Sequence, residues 1–250
     1  MAVLWSRRVG DTLYEVRSAG ATRRLYTNGV LHSQYNPKQP VTGSVWDLLM
    51  LPAFFTDPAR LRRILVLGVG GGAVLRQLRA FVDPEELVGV DIEKVHLSVA
   101  RRHFGLTPRV ATLVHADARQ WLEGYAGPPF DMIIDDLFGH VDGEPERAIA
   151  MDIGWARMLL SHLAADGILV ANFPDRRTLK DSALVANRRL RNGFATRYIF
   201  STPMNENAVA AWLRFPATRQ KLRERLSAVP VLDANRRSCR LRFQMNEDKE

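Results

Sequence analysis

The segment Ile64-Leu-Val-Leu67 runs directly into Gly68-Val-Gly70-Gly71-Gly72-Ala73, and a helical apolar pattern follows over residues 73–81. A short aliphatic run that ends in clustered glycines and opens a helix commits a chain to a strand–turn–helix with backbone exposed at the turn. The same alternation recurs downstream. Strand patterns at 86–90, 110–115, 130–134 and 167–171 alternate with helical patterns at 93–104, 119–123, 146–163 and 178–192. Residues 196–200 and 208–215 read as two last strands, antiparallel neighbours. Strands alternating with helices imply a parallel sheet covered on both faces. The expected fold class is α/β, a doubly wound Rossmann-like sheet of seven strands within residues 43–250. Its ligand belongs beyond the carboxyl ends of the strands.

Ahead of that domain, residues 1–42 read as a small N-terminal β-hairpin segment. Leu13-Tyr-Glu-Val alternates, Arg24-Leu-Tyr follows, and Asn28-Gly29 is a tight-turn signal because both residues tolerate positive φ. After a break at Asn36-Pro37, residues 43–55 read as a helix with Ser44 as its N-cap.

Composition narrows the classes. The chain has 250 residues, 46% hydrophobic and 25% charged, which excludes disordered, collagen-like and disulfide-scaffold proteins. No apolar run reaches the roughly 20 residues of a membrane span, and the start Met1-Ala-Val-Leu-Trp-Ser-Arg-Arg gives no signal peptide. The single cysteine, Cys239, allows no intramolecular disulfide and no multi-cysteine zinc site, so a cytoplasmic location is expected. The formal charge of +8 is uneven. Residues 131–152 carry seven acids against Arg147, whereas residues 176–242 carry sixteen Lys/Arg against four acids. Basic surfaces of this kind attract nucleic acid, but the Arg-rich helices lack interleaved aromatics, so nucleic acid is disfavoured as a partner.

Candidate chemistry sits at successive strand ends. The glycine loop, Gly68, Gly70, Gly71 and Gly72, lets a ligand approach the backbone at a helix start. Asp91 ends the second strand, where a carboxylate can accept both hydroxyls of a ribose. Asp117 ends the third, where a carboxylate can take an exocyclic adenine amine. Each also has a plain structural role, as a helix cap. In this order the three features point to an adenosine site, with Ile92 and Ala118 beside the two acids. The spacing Gly68-x-Gly70-x-x-Ala73 also permits a nicotinamide dinucleotide, although no Tyr-x-x-x-Lys pair and no second substrate domain accompany it. No metal-ligand spacing is present. At the fourth strand end, Asp135 and Asp136 are adjacent on extended backbone and point opposite ways, so only one can face a site. His115 reads as a core histidine, and Tyr14, Tyr26 and Trp46 as packing residues.

Beginning with Ile133-Ile-Asp-Asp136-Leu-Phe-Gly139, the chain resembles the spermidine synthase (polyamine aminopropyltransferase)-like family, within the class I S-adenosylmethionine-dependent methyltransferase fold. The resemblance covers most of residues 12–172, through Leu25-Tyr-Thr-Asn-Gly-Val30, the glycine loop with its trailing Val-Leu-Arg76, Gly89-Val-Asp-Ile-Glu93 and His115-Ala-Asp117. It implies that Asp91 holds the ribose and Asp117 the adenine. It also implies that Asp136 is the catalytic base or charge-stabiliser for an attacking amine. The co-substrate implied is S-adenosylmethionine or decarboxylated S-adenosylmethionine, with no metal, and the acceptor a small-molecule amine. No membrane partner is expected, and a homodimer is left open.

Four departures accompany it. The family carries an acid where Gly71 stands and a second, polyamine-contacting acid where Gly139 stands. Its hairpin glutamine aligns with His32, and a tyrosine-rich segment is replaced by Ser201-Thr-Pro-Met-Asn-Glu-Asn207. His140, Asp142 and Glu144 are candidates for replacing the second acid, against the plainer reading of a solvated acidic loop. Aminopropyl transfer therefore competes with methyl transfer to a small molecule, and with a nucleoside-binding homologue that has lost its acceptor site.

Overall fold

The computed structural model describes residues 1–141, 144–203 and 205–248. Asp142, and the side chains of His140 and Glu144, lie outside what is described.

Four strands, β1 (Ala2–Val9), β2 (Thr12–Ala19), β3 (Thr22–Thr27) and β4 (Val30–Tyr35), form an antiparallel sheet in that order. Asn28 and Gly29, both at positive φ, make the β3–β4 turn. Helix α1 (Val45–Met50) continues into a 3-10 turn, Leu51–Phe55, because Pro52 cannot donate to an α-helical ladder. Then follow β5 (Arg63–Leu67), α2 (Ala73–Phe81), β6 (Glu86–Asp91), α3 (Lys94–His103), β7 (Thr112–His115), α4 (Ala118–Glu123) and β8 (Phe130–Asp135). A ribbon of β9 (Phe138–Val141) and β10 (Glu144–Arg147) leads to α5 (Ile153–Ser161) and β11 (Leu163–Phe173). The chain ends with α6 (Arg176–Lys180), α7 (Ala183–Ala186), α8 (Arg188–Arg191), β12 (Thr196–Thr202), β13 (Asn205–Leu213), α9 (Arg219–Ser227) and β14 (Gln244–Glu247).

The large sheet has the order β14-β12-β13-β11-β8-β5-β6-β7. Its β11, β8, β5, β6 and β7 are parallel, and β13, β12 and β14 join antiparallel at one side. Both faces are covered, and β5 shows how. Its Ile64 and Val66 enter one core with Leu48, Leu75 and Leu222, while Leu65 and Leu67 enter the other with Leu122, Trp155 and Leu159. Alternate side chains of a strand point to opposite faces, so a continuous aliphatic run serves two cores.

Three expectations are corrected. Among the described residues the sheet has eight strands, not seven. The extra one, Gln-Met-Asn-Glu in β14, is a short exposed edge without an apolar face to announce it. The helix expected from residue 146 begins at Ile153, where the Asp152 carboxylate accepts from Trp155 N at 2.7 Å; the residues before it pair as the β9–β10 ribbon. The helix expected over 178–192 is three short ones, and the Asn187 side chain, accepting from Arg189 N and Leu190 N, starts the last. Such local side-chain bonds compete with helix propagation.

The N-terminal sheet is tied to the α/β layer at polar points. Tyr14 Oη donates to Glu93 at 2.7 Å, Thr27 Oγ1 lies 2.8 Å from His96 Nε2, and Ala73 N donates to Ser33 Oγ at 3.3 Å. Val16 and Leu25 pack with Val99 and Phe104 beneath it. No helix among the described residues is long and apolar enough to cross a membrane.

Candidate active site

The carboxyl ends of β5, β6, β7, β8 and β11 converge under β4 and border a cleft of about 530 Å³. Gly68 and Gly70 line it from the loop after β5, and Asp91, Ile92 and Glu93 from the end of β6. Asp117 and Ala118 lie after β7, and Asp136 after β8. Val30, Leu31 and His32 of β4 form its roof. Of the four loop glycines, Gly71 and Gly72 are not part of this lining. They face packed side chains. A Cβ on Gly71 would stand 2.7 Å from Ser33 Cβ and 3.0 Å from the Phe104 ring.

Asp91 is buried and already engaged. Its Oδ2 accepts from Val69 N at 2.8 Å and Gly70 N at 3.0 Å, and its Oδ1 from Glu93 N at 2.7 Å. A carboxylate offers about four acceptor sites, so three are spent, two on the glycine loop and one on the turn into α3. Two ribose hydroxyls cannot both be taken without displacing an amide. Asp117 caps α4, its Oδ1 accepting from Gln120 N at 2.9 Å, and still borders the cleft. Ile92, 61% exposed, presents an apolar surface between these acids. His115, expected in the core, is exposed on the last residue of β7 and bonds the Ile92 carbonyl at 3.0 Å.

The adjacent acids after β8 separate as extended backbone requires. Asp135 is fully buried on one side. Its Oδ2 accepts from Arg147 Nη2 at 2.6 Å and Trp155 Nε1 at 2.9 Å. Asp136 points into the cleft, where its Oδ1 accepts from Asn172 Nδ2 at 2.8 Å. Burial pushes the Asp136 carboxyl up to about 7; the neighbouring charges of Asp135 and Asp91 act in the same direction, and the Asn172 bond and Arg147 oppose it. A carboxyl poised there can take a proton near neutral pH. Behind Glu93, burial and then the bond to Glu93 push Tyr14 up to about 12, so it stays a donor.

Around Asp136 stand residues that the sequence did not single out for function. Asn172 on β11 and Asn205 and Asn207 on β13 line the cleft, with Ser44, Val45 and Trp46 at the start of α1. Asn207 Nδ2 donates to Asn172 Oδ1 at 3.1 Å, and Ser44 Oγ to Asn205 Oδ1 at 3.1 Å. The available signal was Asn172 near the end of an otherwise apolar strand. Among the described residues, no group of three or more His, Cys, Asp or Glu is arranged to hold a metal.

Residues 64–155 match the methyltransferase domain family. Over 106 residues the chain is 34% identical to polyamine aminopropyltransferase 2 of Caldanaerobacter subterraneus subsp. tengcongensis, covering 41% of this chain and 35% of that protein. Over 174 residues it is 29% identical to the polyamine aminopropyltransferase of Vibrio vulnificus, covering 67% of this chain and 56% of that one. The chain thus spans less than two thirds of the length of either relative. Among solved structures, a probable spermidine synthase from Corynebacterium glutamicum superposes with a TM-score of 0.73 at 16% identity, over 99% of this chain and 91% of that one. Human methyltransferase-like protein 13 in complex with S-adenosylhomocysteine superposes with a TM-score of 0.62 at 21% identity, over 76% of this chain and 92% of that one. These comparisons give the chain the class I methyltransferase fold, and over part of its length its sequence is similar to that of the polyamine aminopropyltransferases.

Proposed function

We propose that this protein is a transferase that binds S-adenosylmethionine or its decarboxylated form along the glycine loop and moves an aminopropyl group to a small amine. The observation that carries it is the placement of Asp136, whose carboxyl faces the cleft beside the loop while Asp135 is turned into the core. The donor sulfonium is an activated leaving group, so the protein must mainly align a neutral nucleophile behind the carbon. The amine lone pair forms the C–N bond, the C–S electrons return to sulfur, and the proton of the new ammonium passes to Asp136. Gly68 and Gly70 offer the backbone edge to the nucleoside, Asp91 has one acceptor site left for a ribose hydroxyl, and Asp117 borders the base. The proposal places the enzyme in the cytoplasm, with no membrane or nucleic-acid partner.

Methyl transfer from intact S-adenosylmethionine to a small molecule is the second reading, and Gly71 favours it: a glycine there presents no carboxylate to repel the donor's own. Mass spectrometry of the purified protein for bound nucleoside, followed by incubation with each donor and a panel of amines, tests both. Aminopropyl transfer leaves methylthioadenosine and methyl transfer leaves S-adenosylhomocysteine. A bound nucleoside with neither product after the full panel rejects both readings in favour of a non-catalytic nucleoside-binding protein.

A further inference from the structure

We infer that Asn172 and Asn207 are positioning residues, forming an amide relay that fixes the orientation of the Asp136 carboxylate toward the acceptor. The inference rests on the reading of Asp136 as the acceptor-side carboxylate.

The relay follows from sheet register. Strands β8 and β11 are parallel with Asp135 opposite Ala171, so Asp136 and Asn172 continue the ladder side by side. Strand β13 is antiparallel to β11 with Val209 opposite Asn172, which leaves Asn207 two residues along, within reach of a long side chain. Three polar side chains from three neighbouring strands thereby meet at one edge of the cleft.

The direction of each bond is fixed by chemistry. An ionised carboxylate can only accept, so Asn172 must turn its Nδ2 toward Asp136 Oδ1, at 2.8 Å. Its Oδ1 then faces Asn207 and needs a donor, which Asn207 Nδ2 supplies at 3.1 Å. With Asn207 in place, a flip of Asn172 would set its Nδ2 against Asn207 Nδ2 and its Oδ1 against the Asp136 carboxylate. Among the described residues no donor reaches Asp136 Oδ2, which remains for the nucleophile's N–H. The backbone of the relay is held too. Arg147 Nη1 donates to the Asn172 carbonyl at 2.5 Å while its Nη2 pairs with Asp135. One buried guanidinium thus ties the β8 acids to the β11 amide.

The relay favours the ionised form of Asp136 against its surroundings. Burial and the charges of Asp135 and Asp91 disfavour that form, whereas Arg147 supports it; Glu93, Asp117, His32 and His96 face the same cleft from the N-cap of α3, the N-cap of α4, β4 and α3. Removing the Asn172 donor leaves the opposing influences without their closest counterweight.

The test is a carbon-detected carboxyl titration of Asp136 in the free protein, needing neither donor nor acceptor. Wild type is compared with Asn172→Leu, Asn207→Leu and the double variant, with circular dichroism and melting temperature as the control for folding. Asn172→Leu is expected to raise the Asp136 midpoint by about one pH unit, a tenfold change in proton affinity. Asn207→Leu should raise it by less, and in the double variant it should add nothing beyond Asn172→Leu, because it acts through that amide. A midpoint unmoved by Asn172→Leu, or an Asn207→Leu effect that persists in full without Asn172, overturns the relay. If Asn172→Leu does not fold, Asn207→Leu decides alone, and an unmoved midpoint there rejects the proposal. The titration does not depend on turnover, so a protein that transfers nothing but shows these shifts keeps the relay and loses the transferase reading.

Discussion

Gly68 Cα faces the backbone carbonyl of Asp136 so closely that a Cβ built on it would stand 2.2 Å from that oxygen. The loop that would hold the donor and the residue that would meet the acceptor are thus packed backbone to backbone, and Asp136 N also donates to the Leu67 carbonyl at 2.8 Å. Gly68 has φ +87°, a conformation that L side chains rarely adopt. Gly68→Ala should therefore combine backbone strain with overpacking, destabilising by about 2–4 kcal/mol. It should also displace Asp136. Melting temperature and donor affinity falling together is the expected pair of results.

Asp91→Ala should weaken both nucleoside binding and the fold. Three backbone amides lose a charged acceptor at once, and a hydrogen bond to a charged group is worth about 1.5–3 kcal/mol. Calorimetry with an adenosyl ligand and a denaturant melt on the same sample check this. Asp91→Asn should restore part of the stability, through its one remaining acceptor oxygen, and little of the affinity.

Asp136→Asn should lower turnover by a factor of ~10² to 10⁴, the usual loss of a general base, with nucleoside affinity nearly unchanged. The same variant carries a stability signature. A carboxyl whose folded pKa is raised contributes stability at low pH that is lost as pH rises from the unfolded value, near 4, through about 7. Wild type should lose up to about 4 kcal/mol across that window from this group, and Asp136→Asn should flatten the loss. Turnover of the wild type should rise with pH over the same range.

Gly71 bears on the donor. The aligned acid in the resembled enzymes would repel the carboxylate of intact S-adenosylmethionine, by on the order of 4 kcal/mol at ~4 Å before screening. Here that repulsion is absent. The intact and decarboxylated donors should bind within about tenfold of each other, ~1.4 kcal/mol, or the intact one tighter, in side-by-side titrations. A hundredfold preference for the decarboxylated donor would contradict this. Restoring the acid is not a simple exchange, because Ser33 and Phe104 occupy its space. Gly71→Asp should destabilise by about 1–3 kcal/mol.

The amino-acid sequence by itself determined the local order: aliphatic strands, the glycine loop, and acids at three successive strand ends. These follow from periodicity and turn chemistry within a dozen residues, and the class of fold follows from their alternation. The sequence also showed that Asp135 and Asp136 must diverge, since the two-residue repeat of a strand leaves no alternative. Tertiary structure decided which of them enters the cleft. Arg147 and Trp155, 12 and 20 residues away, claim Asp135 and leave Asp136 to the site. It also decided that Asn172 and Asn207, 35 residues apart, meet, that Ser33 fills the place beside Gly71, and that Glu146 and Arg147 pair with Gly139 and Phe138 in a ribbon rather than entering a helix. Each of these depends on the register between strands distant in sequence. That register is set by burying two cores at once, and no local pattern encodes it.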